Sequence, residues 1–145
     1  MRKVSTIALL VIGSIAVMGQ KPEIYNTKAG AIRGYDPVAY FVSGKAEKGD
    51  TLLAQSYKGA DWYFTSAENL ATFKANPEKY IPQFGGYCAY AVSQNYTYAG
   101  DPLAFTVVDG KLYLNASPGV AKKWSANRDE YIQSANTNWP AVLNK

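Results

Sequence analysis

The run DPLAFTVVDGKLYLN, Asp101 to Asn115, constrains the fold more than any other stretch of the chain. Two β-rich segments flank Asp109-Gly110, a dipeptide suited to the left-handed backbone of a tight hairpin turn. A further hairpin is predicted upstream, where TLLAQSY and DWYFTS flank KGA. On its second strand Trp62 and Phe64 share a face and Tyr63 points away. Local hairpins mean antiparallel pairing, and the segments around them read as short helices. Ser66 suits an N-cap for AENLATFKAN, with Leu70 and Phe73 on the buried side. Asn76-Pro77 punctuates that helix and PEKY adds one turn. The glycines of GGYCAYAVSQ open another short helix, with Cys88 in its first turn.

Ser117-Pro118 places an N-cap before a proline at the first helical position. One helix is expected from there, with Val120, Trp124, Tyr131 and Ala135 on a single stripe. Val38 to Phe41 reads as a strand, and Asn138-Trp139-Pro140 closes the fold. The expected class is α+β: a single compact domain, a small antiparallel sheet with hairpins packed by several short helices. It spans residues 34–143 after a polar lead-in, residues 20–33, with no linker, repeat or low-complexity tract from Tyr35 onward. Hydrophobic residues at 48% and charged residues at 18% fit a globular chain.

The first twenty residues, MRKVSTIALLVIGSIAVMGQ, have two cations, an apolar run from Val4 to Val17 and a short polar end. That layout predicts a signal peptide over residues 1–19 and export to a periplasmic or extracellular space. The apolar run is too short to span a bilayer comfortably, so no stable membrane span is expected after cleavage. No cysteine follows the run, which excludes a lipoprotein anchor. Without Arg2 and Lys3, the 15 cations fall to 13 against 11 acids, so the formal +4 becomes +2. The remaining cations are scattered, which argues against nucleic acid as a partner.

The chain has no histidine and one cysteine. Ser-His-Asp and Cys-His catalysis, imidazole metal sites, an internal disulfide and a Cys-x-x-Cys pair are therefore excluded. Asp36, Glu68 and Asp101 are acid–base candidates. Asp36 and Asp101 each precede proline, where Asp forms turns, and Glu68 suits a helix N-terminus. Cys88 is either a buried, inert small hydrophobe or a functional thiol activated by the helix start behind Gly85-Gly86.

The segments GYDPVAYF (34–41), YKGADWYFTSAENLATFKANPEKY (57–80), QFGGYCAYAVS (83–93) and VDGKLYLN (108–115) resemble the YHS domain family, and within it the exported branch. The resemblance runs from about Gly34 to Pro140. It implies a relation to short metal-binding domains whose cysteines follow the DPV motif and flank the segment after the aromatic strand. In this chain those positions hold Ala39, Thr65 and Asn69, none of which supplies a thiolate.

The leading expectation is a non-catalytic binding module without a cofactor, taking an unknown small ligand or protein. Its aromatic cleft would be formed by Tyr35, Tyr40, Trp62, Tyr87, Tyr90 and Trp139, with Cys88 on the wall beside Gly85, Gly86 and Asp36. One alternative is soft-metal handling, copper held through Cys88, between two chains if need be. The other is a thiol-based redox protein.

Overall fold

Both hairpins form in the computed structural model, which describes residues 19–145. The expected leader lies outside the described residues apart from Gly19. Strands β1 (Asn26–Thr27) and β2 (Gly30–Ala31) make a short ribbon. Helix α1 (Ala39–Val42) follows, then the hairpin of β3 (Asp50–Tyr57) and β4 (Ala60–Phe64). Helices α2 (Ala67–Ala75) and α3 (Pro77–Tyr80) complete the first half. Helix α4 (Ala89–Ser93) leads to the hairpin of β5 (Asp101–Val108) and β6 (Lys111–Asn115). Helices α5 (Pro118–Ala126) and α6 (Arg128–Asn138) end the regular structure. The class is α+β, with three separate two-stranded antiparallel sheets among the described residues.

Local chemistry explains most elements. Lys58 and Gly59 (φ 48° and 74°), like Asp109 and Gly110 (52° and 71°), take the left-handed conformations of a two-residue hairpin turn. Ser66 Oγ accepts the Asn69 N–H at 3.0 Å, and Ser117 Oγ accepts that of Val120 at 3.2 Å, so both predicted caps are made. Trp62 and Phe64 are fully buried while Tyr63 is half-exposed, as the alternation requires.

Four expectations need correction. Val38 to Phe41 is helical rather than extended, because Asp36 Oδ1 accepts the Val38 and Ala39 N–H groups at 2.8 and 3.2 Å and so starts a helix. The single helix over the Val120–Ala135 stripe is two helices, broken at Asn127 (φ −136°, ψ 45°), a residue whose side chain competes with the helical backbone. Residues 20–33 are not merely a polar lead: Ile24, Ala31 and Ile32 are buried in the core.

The fourth correction concerns repetition. The described chain runs twice through one order: a left-handed turn, a capped short helix, a hairpin, a serine-capped helix, an asparagine break and a final helix. Asp36 and Cys88 are 52 residues apart, and Ser66 and Ser117 are 51 apart. The turns at Ile32–Gly34 and Phe84–Gly86 have matching φ values of 51°, 49°, 85° and 56°, 62°, 86°. The backbone bond from Asp36 N–H to Glu47 O has its counterpart from Cys88 N–H to Tyr98 O. The bridge Tyr35–Lys48 likewise matches Tyr87–Ala99. Side chains differ at most of these positions, so the repeat is carried by backbone geometry and a few turn residues.

The two halves meet on β6. Leu112 and Leu114 point into the aromatic core of the first half, with Trp62, Phe64 and Phe73. Tyr113 points into the other core, with Trp124, Phe84 and Val142. Tyr57, Lys58, Glu23 and Glu78 form a polar cluster at the surface, Lys58 Nζ lying 3.0 Å from Glu23 and 3.1 Å from Glu78. The Tyr57 hydroxyl, then Lys58, hold the Glu78 carboxyl below its ordinary range, and Glu23 first among its partners raises Lys58. A depressed carboxyl stabilises the fold above its unfolded value and loses that contribution as pH falls through the folded one. The raised lysine contributes until pH rises through its own folded value. Glu78→Gln should therefore cost about 0.2–1 kcal/mol at neutral pH, its side chain being 58% exposed, and the difference should vanish on acidification in urea melts.

Candidate functional site

In the first half, the space enclosed by the N-terminus of α1 and the β4–α2 corner is filled by one carboxylate. Asp36 is fully buried. Its Oδ1 accepts the two α1 N–H groups. Its Oδ2 accepts the Thr65 N–H at 2.8 Å, the Thr65 hydroxyl at 3.0 Å and the Asn69 Nδ2 amide at 2.8 Å. Five donors converge on one anion, which is how a buried charge without a cation is held. Ala39, Thr65 and Asn69 are the positions at which the family resemblance places metal-ligating cysteines. Here they offer a buried methyl, a hydroxyl proton and an amide NH2, the last two donating to Asp36. That donor set does not fit a soft metal.

In the second half the counterpart of Asp36 is Cys88, that of Thr65 is Ala116 and that of Asn69 is Val120. The Cys88 thiol donates to Asn115 Oδ1 at 3.6 Å, and its Sγ accepts the Ala116 N–H at 3.2 Å, as Asp36 accepts that of Thr65. Cys88 occupies the N-cap of α4 rather than its first turn, and it is 1% exposed. Asn115 Oδ1 also takes the Tyr90 N–H at 3.0 Å, which fixes the orientation of that buried amide.

Ala116 and Val120 offer no side-chain donors in place of those of Thr65 and Asn69. A groove of about 340 Å³ opens over Cys88, with Ala91, Ala116 and Val120 beside it and Tyr90, Tyr96 and Tyr98 as aromatic walls. Tyr96 and Tyr98 are 47% and 60% exposed. A larger hollow of about 480 Å³ lies between the β5–β6 turn and α6, bordered by Asp109, Lys111, Asp129, Gln133 and Asn136 together with Tyr113 and Ile132.

Of the sequence-predicted residues, Cys88 and Tyr90 share this groove. The other aromatics are dispersed, so the six do not line one cleft. Tyr40 and Trp62 lie in the first core: the Tyr40 hydroxyl donates to Pro102 O at 2.8 Å, and Trp62 Nε1 donates to Tyr57 O at 3.0 Å. Burial above all, then Tyr35, Asp101 and Asp36, drives the Tyr40 phenol far above its ordinary pKa. Tyr35 borders a separate hollow with Arg33, Lys48 and Asp101. Tyr87 is buried, packs at a tilt against Tyr25 and Trp139 and donates to Pro22 O; burial, then Tyr25, raises its phenol pKa. Trp139 and Gly85 border a small crevice beside the Lys58 cluster. A methyl added at Gly86 would stand 3.2 Å from Pro82 and 3.9 Å from Leu114. These burials follow from Tyr and Trp carrying large apolar rings, which a small core recruits first.

Sequence reasoning passed over Tyr96 and Tyr98. Their signal was present in QNYTYAG, two aromatics at i and i+2 in a short connection where nothing amphipathic requires them. A copper ion held through Cys88 would displace the thiol proton, and with it the bond to Asn115 Oδ1. Among the described residues no three of His, Cys, Asp and Glu come together as a metal cluster, and no helix is long and apolar enough to cross a membrane.

Compared with known proteins, residues 38–84 match the family model of the YHS domain, a segment that ends where the second half of the fold begins. No curated protein and no solved structure matches the chain.

Proposed function

We propose that the chain, whose residues 38–84 match the family model of the YHS domain, is an exported, non-catalytic binding module whose small, largely apolar ligand sits between Tyr90, Tyr96 and Tyr98, over Cys88. The groove carries this reading. Its volume of about 340 Å³ falls at the lower end of the roughly 300–1,000 Å³ typical of small-molecule sites. Two of its three aromatic walls stay exposed, where a flat apolar ligand would recover their contact area. The comparison between the halves adds support. The position that Asp36, Thr65 and Asn69 fill with a polar clamp is, in the second half, apolar and open. The leader pattern of residues 1–19 supports export, and the lack of histidine supports a module that binds without catalysing.

Titration with the neutral fluorophore N-phenylnaphthylamine should give saturable enhancement, weakened about tenfold by Tyr98→Ala. Tyr98 contributes its backbone carbonyl to Cys88, which alanine retains, so the fold should survive. No saturable binding by the parent protein, or equal binding by Tyr98→Ala, would overturn the reading.

A further inference from the structure

We propose that the ligand of this groove ends in a carboxylate, which Lys123 receives at the rim; this rests on the groove being the binding site. Val120 forms part of the wall, and Lys123 follows three residues later on the same helix α5, hence on the same face. Its Nζ lies 4.7 Å from the centre of the Tyr90 ring, another wall. Tyr131, which packs edge-on against Tyr90 at 5.3 Å, backs that ring. The ammonium is thus stationed by the face of Tyr90, and among the described salt bridges by no acid.

That arrangement leaves its charge available. The described salt bridges all involve Lys58, which has two carboxylates to itself, and none involves Lys123. No Asp or Glu lines the groove. An ammonium over a ring still has N–H donors directed elsewhere, since a lysine carries three. Tyr90 foremost, then Tyr131 and Tyr96, raise the Lys123 pKa, so the cation persists across the neutral range. An apolar slot with one unpaired cation at its mouth complements a molecule with an aromatic or aliphatic body and one anionic end. The lining residues themselves carry no cation, so Lys123 beside the Tyr90 wall supplies a single positive charge, whereas a phosphate or a dianion would be better suited by two. Specificity comes from the charge, while the tyrosines supply contact area.

The test compares naphthylacetate with its neutral isostere naphthylacetamide, by calorimetry, on the parent protein and on Lys123→Met, which keeps an apolar stem of similar length. The parent should prefer the carboxylate by about tenfold, and rising salt should narrow the gap. In Lys123→Met the carboxylate should lose its advantage, so that the two bind alike. Equal binding of both by the parent, or a preference that survives Lys123→Met, overturns the carboxylate assignment and leaves the groove standing. If neither probe binds the parent, the groove reading falls and this inference falls with it.

Discussion

Asp36→Ala should lower the unfolding free energy by about 3–5 kcal/mol, followed by tryptophan fluorescence in urea. The carboxylate is fully buried and accepts five hydrogen bonds. Alanine removes all five at once. The Val38, Ala39 and Thr65 N–H groups belong to the backbone and cannot turn towards water without moving α1 or the β4–α2 corner. Each buried donor left unpaired costs about 1–3 kcal/mol, and relaxation recovers part of the sum. Asp36→Asn keeps the shape but must face an NH2 towards one set of donors, so it should also destabilise. The counterpart change, Cys88→Ala, should cost about 1–2 kcal/mol, because the thiol makes only two weak hydrogen bonds and the loss is mainly packing. If Asp36→Ala cost no more than Cys88→Ala, the clamp would not be what holds the first half together.

Gly85→Ala should be comparably damaging, at about 3 kcal/mol or more. A Cβ there would stand 1.7 Å from Glu23 O and 2.8 Å from Glu23 C, both backbone atoms that no rotamer change can withdraw. Gly85 O also accepts the Tyr25 N–H at 2.9 Å, so the segment carrying Ile24 is bound to this turn from both sides. Relief requires residues 23–25 to lift, which would uncover Ile24. Gly44→Ala is the matched control. Its φ is 68° against 62° at Gly85, but nothing lies within 4 Å of the added methyl, so only the left-handed penalty of about 1 kcal/mol applies. Thermal melts of the two variants separate steric conflict from backbone preference. Equal losses would mean that residues 20–33 are not locked against the 83–86 turn.

Elements written in near-neighbour chemistry were legible in the sequence. Asp109-Gly110, the Ser66 and Ser117 caps, and the Trp62/Phe64 alternation each depend on residues within a few positions of one another, and each formed as expected. The difference at α1 has the same local scale: Asp36 forms the expected turn, and its carboxylate also starts a helix where the short apolar run by itself predicts a strand. The internal repeat is not legible in the sequence because it lies in φ angles and backbone bonds, while Asp36, Thr65 and Asn69 have Cys88, Ala116 and Val120 as counterparts.

The candidate site shows where local rules stop. That Cys88 is single, that histidine is absent and that tyrosine is abundant are properties of the chain, and they limit the chemistry before any folding. Which tyrosines face solvent is not such a property. Tyr40 and Tyr87 are as aromatic as Tyr96 and Tyr98, yet the first pair is buried and the second lines the groove. Sequence determined the hairpins, the caps and the chemical inventory, because those depend on backbone preference and residue type. Tertiary structure alone decided that Ala116 and Val120 would leave a space over Cys88 and that Lys123 would stand at its edge, because that space exists only where segments about thirty residues apart come together.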